Sequence, residues 1–284
     1  MKRKACAVRI LTVLAAAVFV LTGCARGGSS KASGQGAVIS TDGSNARTET
    51  RAAGNQSDSA SVPVKSVKDE NGYDYDQYTD HIQLGRYHGV YESEMTVPSE
   101  IGGLPVTELG DDVYYKGTME KVILPEGISY IGYNAFRECK SLKEVVLPKS
   151  IKVIKKNAFC ACTSLDTINV PDDIEELGER AFAATGFTSF TLPSGLKAVP
   201  NELFRDTPSL TEVIIPEGVE KIGKFAFYGC HIESVRIPDS LTEVGNEAFS
   251  FRGERTIRGS KNSIAKKLAE SRDYAQSNVK YVEE

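Results

Sequence analysis

The sequence predicts a repeat solenoid, a right-handed superhelix with a parallel β-sheet on one face. Two series of residues recur in step along the chain and carry this prediction. Six apolar segments end in a proline at spacings of 23, 23, 22, 23 and 22 residues: Pro125, Pro148, Pro171, Pro193, Pro216 and Pro238. Aromatic pairs keep the same step: Ala135-Phe136, Ala158-Phe159, Ala181-Phe182, Leu203-Phe204, Ala226-Phe227 and Ala248-Phe249. A constant period of roughly 20–50 residues is typical of stacked units.

The chain begins with a segment that has the composition of an export signal. Basic residues precede an apolar run from Ile10 to Leu21, which is shorter than the roughly 20 residues of a membrane span. The run ends in Leu21-Thr22-Gly23-Cys24, which resembles the signal of bacterial lipoproteins. We expect residues 1–23 to be a lipoprotein signal peptide and Cys24 to be lipidated. The anchor would hold the protein on the extracellular face of a bacterial cell membrane. An ordinary signal peptide with a chance cysteine and a plain anchor helix are the alternatives.

A polar tether is predicted to follow. Residues 24–65 are rich in Gly, Ser, Ala, Thr, Asn and Gln, and they contain almost no large apolar side chain. Such a composition cannot bury a core, so we expect this Gly/Ser-rich segment to be disordered.

Residues 92–251 are predicted to form seven repeats of 22–23 residues, the first being irregular with 27. Each begins with a strand whose side chains alternate, as Val122 and Leu124 point inward while Lys121 and Ile123 point outward. Proline ends the strand because it has no amide donor for a further rung. After the proline, the chain returns towards the start of the next strand, and this return path contains an aliphatic-Gly pair, with Ile154-Lys155 and Val199-Pro200 as variants. One unit cannot bury its apolar residues alone, so copies should stack at about 4.8 Å with Phe over Phe.

The combined pattern L-x-x-V-x-L-P-x-x-L-x-x-I-G-x-x-A-F-x-x-C resembles the BspA-like (Treponema pallidum type) leucine-rich repeat family of bacterial surface proteins. The resemblance covers roughly Tyr87 to Phe251, more than half of the chain. It implies a leucine-rich-repeat superhelix, and it implies adhesion or interaction with proteins of a host or a neighbouring cell. The chain lacks the Asn ladder of the commoner leucine-rich repeats.

Atypical ends are expected to cap the exposed edges of the stack. Residues 66–91 are predicted to form an N-terminal β-hairpin cap, in which Tyr73 to Leu84 is a strand pair that turns near His81. Residues 252–284 are predicted to form a C-terminal cap. It would contain a short helix over Ser263 to Ala269 and a final strand over Val279 to Val282.

One repeat position holds small residues, namely Gly117, Cys139, Cys162, Thr185, Thr207 and Cys230. This pattern favours buried structural thiols. Cys139 and Cys162 lie on neighbouring units, so a disulfide between them stays open, although parallel Cβ vectors make it awkward. Cys160 is out of register and is expected to be more exposed, while Cys6 lies in the signal.

The sequence shows no motif for catalysis, and we predict no catalytic, cofactor or metal site. Residues 69–76 are acidic but lack the spacing of a calcium loop. His81, His88 and His231 are scattered, and neither a serine elbow nor a Cys–His signature is present. Gly102-Gly103 is not followed by the Lys-Ser/Thr of a phosphate loop. The net charge of −4 argues against a nucleic-acid partner.

The outward strand residues therefore form the candidate binding site, here called the outward face. They are Glu94, Thr96, Lys121, Ile123, Glu144, Val146, Thr167, Asn169, Ser189, Thr191, Glu212, Ile214, Ser234 and Arg236. Tyr115, Tyr133 and Tyr228 could contribute from edge loops. We expect a non-enzymatic cell-surface module that binds an extracellular protein or another macromolecular ligand. A cell-envelope scaffold that binds a partner of its own cell is the alternative, and an enzyme with a site in the cap region is a remote one.

Overall fold

The computed structural model describes residues 62–69, 72–249, 254–271 and 278–284. The chain divides into two compact units, Met1–Gln56 and Ser57–Glu284, and the described residues belong to the second. The predictions for the signal peptide, for Cys6, for the lipidation of Cys24 and for nearly all of the tether lie outside the described residues.

The N-terminal cap is an antiparallel sheet that leads into the repeats. It consists of β1 (Lys65–Val67), β2 (Tyr73–Gln77) and β3 (Ile82–Tyr87). The chain turns between β2 and β3, where the N–H of Tyr78 donates to the carbonyl of His81 over 2.9 Å. The predicted hairpin is therefore confirmed, and β3 pairs in parallel with a strand of the first repeat.

The irregular first repeat contains an inserted hairpin. Its strands are β4 (Glu94–Thr96), β5 (Glu100–Ile101) and β6 (Leu104–Leu109). The antiparallel pair β5 and β6 turns at Gly102 and Gly103, whose φ angles are 61° and 83°. Two positive φ angles are what a two-residue hairpin turn requires, and glycine adopts them without steric cost.

Each regular unit contributes two short strands, and we name the unit after its proline. The first strands are β7 (Lys121–Ile123), β9 (Glu144–Val146), β11 (Thr167–Ile168), β13 (Ser189–Thr191), β15 (Glu212–Ile214) and β17 (Ser234–Arg236). The second strands are β8 (Tyr130–Ile131), β10 (Val153–Ile154), β12 (Glu176–Leu177), β14 (Ala198–Val199), β16 (Lys221–Ile222) and β18 (Glu243–Val244).

Equivalent strands pair in parallel from unit to unit, as Val122 does with Val145. This confirms the repeat solenoid with its parallel sheet. The second strands also pair in parallel, β8, β10 and β12 in one sheet and β14, β16 and β18 in another. This second ladder of strands was not predicted from the sequence.

A third ladder of hydrogen bonds runs through the turns that contain the Ala-Phe pairs, and we call it the arc ladder. In the Pro125 unit the N–H groups of Asn134, Phe136 and Glu138 donate to carbonyls of the next unit over 3.2, 2.7 and 2.8 Å. Asn134 and Glu138 have φ angles of 56° and 61°. Non-glycine residues in this left-handed region recur at these two positions along the stack. Left-handed residues are therefore a regular part of the repeat.

The core is a column of stacked aromatic rings. It runs through Tyr114, Phe136, Phe159, Phe182, Phe204, Phe227 and Phe249, with neighbouring ring centroids 5.0–5.8 Å apart. These side chains are at most 2 % exposed. The predicted stacking of Phe over Phe is confirmed.

Both parallel sheets are interrupted at the same junction. Strand β11 does not pair with β13, and β12 does not pair with β14. Phe187 and Phe190 replace the Leu165 and Ile168 of the preceding unit, so more ring volume must fit between these strands. In the second sheet, Pro200 has no N–H and cannot make the bond that Gly178 makes to Ile154 over 2.7 Å.

The arc ladder continues across this junction, where Phe182 N–H donates to Leu203 over 3.0 Å. The junction between the Pro171 and Pro193 units therefore depends on the arc ladder, on aromatic stacking and on isolated bonds such as that from Gly195 N–H to the Asp172 carbonyl over 3.0 Å.

The C-terminal cap extends the first sheet. It consists of β19 (Arg255–Gly259), α1 (Ala265–Ala269) and β20 (Val279–Glu283). Strand β19 pairs in parallel with β17, and β20 pairs in parallel with β19. Ala265 of α1 is fully buried against the core. The predicted helix and strand of this cap are confirmed.

Candidate binding face

The outward face consists of two columns of side chains on parallel strands. The first column is Glu94, Lys121, Glu144, Thr167, Ser189, Glu212 and Ser234, and the second is Thr96, Ile123, Val146, Asn169, Thr191, Ile214 and Arg236. Inward residues such as Val122 and Val145 alternate with them and are buried. The first four strands lie in one sheet and the remainder in another. The strand alternation thus places all the predicted face residues on the same side of the strands.

Charges of the first column neutralise one another in the N-terminal part of the face. The ammonium of Lys121 lies 3.2 Å from the carboxylate of Glu144 and 4.0 Å from that of Glu94. Ion pairs this exposed contribute little to stability. They leave this part of the face without a strong net charge.

Apolar side chains occur in the second column on both sides of the junction. Ile123 and Val146 are register partners and are half-buried. Ile214 is 52 % exposed, at an open hollow of about 580 Å³ that Arg236 and Arg258 also line. Both arginines lie beside Glu284, at 3.5 and 3.3 Å respectively. The hollow thus combines an exposed aliphatic group with a charged rim, a combination that suits contact with another protein.

Asn169 has a structural role that its sequence position did not reveal. Leu147 N–H donates to its Oδ1 over 2.9 Å, and its Nδ2 donates to the Leu147 carbonyl over 2.9 Å. The amide therefore replaces a rung of the ladder between β9 and β11, and this predicted face residue uses its amide within the fold.

A cleft of about 370 Å³ opens where β11 and β13 separate, and we call it the junction cleft. It lies between residues 166–172 and 187–193. Hydrogen bonds close it at both ends, from Gly186 N–H to the Leu165 carbonyl over 3.0 Å and from Ser194 N–H to the Asp172 carboxylate over 2.8 Å. This cleft was not predicted from the sequence.

The three tyrosines considered as edge contributors lie in the turns. Tyr133 is 45 % exposed. Tyr115 donates to Glu138 over 3.3 Å, and Tyr228 packs edge-on against Phe225 with a centroid distance of 5.6 Å. They lie outside the two columns.

The thiols at the small-residue position donate to backbone carbonyls. The Sγ atoms of Cys139 and Cys162 lie 3.0 and 2.9 Å from the carbonyls of Tyr114 and Phe136, one unit back. The hydroxyl of Thr207 makes the same contact with Phe182 over 3.3 Å. Cysteine and threonine are both small and both supply a side-chain donor at this position, although Thr185 donates to Phe182 of its own unit and Gly117 has no donor.

Burial makes these thiols poor nucleophiles. It raises the pKa of Cys162 well above its usual value and the pKa of Cys230 to about 12. Cys139 and Cys162 are free thiols in this structure. The expectation of an exposed Cys160 is wrong, because only 7 % of this residue is exposed. Its N–H donates to Asn157 and its carbonyl accepts from Glu138, which fixes its short side chain within the turn.

The histidines of the N-terminal cap form carboxylate pairs. His81 Nδ1 lies 2.8 Å from Asp80, and His88 Nε2 lies 3.1 Å from Asp74. The hydrogen bond from His88 lowers the pKa of Asp74. Across the part of the chain that the structure describes, no three His, Cys, Asp or Glu side chains converge as metal ligands would. Within the same residues, no helix has the length and apolar character of a membrane span.

The stacked units, two parallel sheets and proline-ended strands define a leucine-rich repeat protein. The chain belongs to the family described as "BspA type Leucine rich repeat region". Six copies of this repeat match over residues 107–205 and 141–256, which together span more than half of the chain. Repeats of this class form binding modules for protein–protein interaction.

Several solved bacterial structures are similar. A leucine-rich cell surface protein of Faecalibacterium prausnitzii A2-165 matches with 29 % identity and a TM-score of 0.62, over 72 % of this chain and 56 % of that one. The chain thus spans little more than half the length of that protein. The leucine-rich repeat protein of T. pallidum matches with 26 % identity over 66 % of this chain and 83 % of its own, with a TM-score of 0.42. A Bacteroides ovatus ATCC 8483 leucine-rich repeat protein matches with 19 % identity over 70 % of this chain and 69 % of its own, with a TM-score of 0.47. A comparison with curated proteins finds no match.

Proposed function

We propose that this protein is a lipid-anchored, non-enzymatic module that binds a protein outside the cell through its outward face. The register of the two columns carries the proposal. Equivalent outward side chains of neighbouring units lie side by side, one strand spacing apart, along the face. Inter-unit hydrogen bonds and a buried aromatic column hold the units behind this face. A preorganised surface loses little conformational entropy when it binds.

Affinity would come from several modest contacts made at once. Ile123, Val146 and Ile214 supply apolar area, while Lys121 and Arg236 supply donors. Many copies anchored on one membrane would add avidity to these contacts. Surface display is supported by the lipoprotein-like end of the signal at Cys24 and by the similar cell surface protein of F. prausnitzii.

A capture experiment with residues 57–284 tests the binding proposal. The immobilised protein is exposed to host extracellular matrix, to mucin and to the bacterium's own envelope extract. Ile214→Glu on the outward face should abolish capture, whereas Lys221→Glu on the second sheet should leave it unchanged. Retention of envelope proteins alone would overturn the extracellular partner and would favour the scaffold alternative.

The anchor is tested separately in cells. Cys24→Ala should release the protein from the membrane fraction, because the thiol that would receive the lipid is lost. Cys6→Ala lies in the same segment and serves as the matched control, which should stay membrane-bound. If the Cys24→Ala chain remains bound as before, the lipoprotein proposal fails.

A further inference from the structure

We propose that the junction cleft binds a short, extended, basic segment of a protein partner, whose main chain pairs with the strand edges that the broken sheet leaves open. The inference deepens the proposed function, on which it rests, by naming a place on the outward face and a kind of ligand. Strands β11 and β13 each end a sheet on the side that faces the cleft.

The hydrogen bonds on the far side of each strand show which backbone groups face the cleft. In parallel strands, successive residues direct their N–H and C=O groups to opposite neighbours. Leu192 of the Pro193 unit donates to Ile214 of the next unit over 3.0 Å, and the Thr188 carbonyl accepts from Thr211 over 2.9 Å. The intervening Ser189 and Thr191 therefore direct their N–H and C=O groups into the cleft.

The opposite wall has the same character. Thr167 N–H donates to the Lys143 carbonyl of the preceding unit over 3.2 Å. Ile168, the next residue, therefore directs its N–H and C=O groups towards Ser189 and Thr191 across the cleft. At about 30 Å³ per molecule, a volume of about 370 Å³ corresponds to roughly a dozen waters. This is room for a short stretch of main chain along the open edges, between the two hydrogen-bonded ends of the cleft.

Pairing of this kind is already present on the other side of β11. The amide of Asn169 acts as a surrogate main chain for Leu147, with one bond donated and one accepted. A peptide group carries the same donor and acceptor, so an extended segment can satisfy Ile168, Ser189 and Thr191 in the same way.

Charge selects a basic segment. Asp166 and Asp172 line the cleft, and no lysine or arginine does. Asp166 accepts a hydrogen bond from Thr167 over 2.9 Å and Asp172 accepts one from Ser194, yet within the described ranges neither carboxylate forms an ion pair. By contrast, Asp173 and Glu176 on the return path are paired with Lys152 and Lys155. Two uncompensated carboxylates near the cleft attract lysine or arginine side chains.

The test uses the full chain and a phage library of random seven-residue peptides. Selected peptides should be rich in lysine and arginine. Thr191→Lys fills the cleft and supplies its missing cation, so affinity for these peptides should fall by about tenfold or more. Thr96→Lys makes the same change in the same column outside the cleft, and it should leave the affinity unchanged. Asp172→Asn keeps the acceptor for Ser194 but removes the charge, and it should also weaken binding.

Hydrogen exchange locates the ligand without relying on a variant. In the free protein, a fragment over residues 187–193 should exchange faster than one over residues 119–125, because β7 is paired on both sides. A bound basic peptide should slow exchange in the first fragment and leave the second unchanged.

The inference would be overturned by the absence of any enriched peptide, by enrichment of acidic peptides, or by equal affinity for Thr191→Lys and the unaltered chain. If the protein bound glycans on an array and Thr191→Lys abolished that binding, the ligand of the cleft would be a carbohydrate, and the inference would also be overturned. Failure of the cleft proposal can be distinguished from failure of the proposed function. If Thr191→Lys loses the peptides yet keeps the captured partner, the cleft stands as a site and the partner binds elsewhere on the face. If the partner and the peptides both bind regardless of Thr191→Lys, only the cleft is excluded.

Discussion

The side-chain amide of Asn169 and the main chain of Leu147 form two hydrogen bonds, one in each direction and both 2.9 Å long. A side chain thereby takes the place of a strand rung next to the junction cleft. This pair lets β11 stay attached to β9 while its other edge opens.

Replacing Asn169 should loosen the stack at this point. Asn169→Ala removes both bonds and leaves the Leu147 N–H and C=O without these partners, so we expect a loss of about 1–3 kcal/mol in the free energy of unfolding. Urea denaturation measures it. Thr191→Ala, at the same repeat position one unit on, is the control and should cost less. Equal losses for the two variants would contradict the structural role of the amide.

The aromatic column predicts a larger effect for its central members. Phe159 stacks on Phe136 and Phe182 with centroid distances of 5.0 and 5.7 Å. Truncation in Phe159→Ala leaves a cavity between two rings, and we expect a loss of about 3–5 kcal/mol. Thermal or denaturant unfolding checks this value. A variant as stable as the parent would be incompatible with the stacked core.

The cysteine position should tolerate a hydroxyl better than an aliphatic group. Cys162→Thr keeps a donor for the Phe136 carbonyl, as Thr207 does for Phe182. Cys162→Val fits similarly in size but removes the side-chain hydrogen bond and leaves that carbonyl only the bond from Cys139 N–H over 3.2 Å, so it should be the less stable of the two by about 1 kcal/mol. Calorimetry on both variants decides the order, and the reverse order would refute the donor role.

Left-handed residues in the arc ladder restrict substitution there. Ala184 has a φ angle of 54° and donates its N–H to Arg205 over 2.8 Å. A β-branched residue is strongly disfavoured at such an angle. Ala184→Val should therefore destabilise the protein by about 1–3 kcal/mol, whereas Ala184→Gly should be close to neutral. Chemical denaturation of both variants is the measurement. Similar stability of the valine and glycine variants would show that the backbone angle is unimportant.

Alkaline pH should destabilise the protein through Tyr73 of the N-terminal cap and Tyr114 of the first repeat. Burial raises the pKa of Tyr73 from 10.0 to about 12, and it raises the pKa of Tyr114 well above 10.0. A raised pKa means that the folded state binds protons more tightly than the unfolded state. The stabilisation is fully present below pH 10 and is lost as the pH rises towards about 12.

Each such tyrosine contributes a slope of up to about 1.4 kcal/mol per pH unit in this window. The unfolding free energy of Tyr73→Phe should depend less on pH between 9 and 11 than that of the parent chain, since one such group is gone. Parallel pH profiles for the two proteins would contradict the assignment.

The period of the sequence predicted most of the fold because each unit repeats both its apolar phase and its strand-ending proline. Val122 and Val145 lie in register as the alternation requires. The outward columns followed from the same alternation, since side chains of a strand point to opposite faces.

Other features had weaker signals in the sequence. Pro200 stands at the repeat position where Gly178 and Gly223 donate hydrogen bonds. This proline is visible in the sequence and indicates the interruption of the second strands between the Pro171 and Pro193 units. The left-handed residues include Asn134, Glu138 and Ala184, which share no side-chain chemistry, so only the backbone of the folded chain identifies them. The Asn169 amide escaped prediction because a strand residue that points outward is ordinarily taken as solvated.

The interrupted junction has a mechanical consequence. When a stack of units is pulled from its two ends, every junction carries the same load in series, and the junction with the fewest bonds yields first. The junction between the Pro171 and Pro193 units has lost the rungs of both sheets and keeps the arc ladder together with the bonds that close the two ends of the junction cleft. A chain pulled at both ends would therefore extend first at this place, in the middle of the outward face, while the units on either side keep their shape.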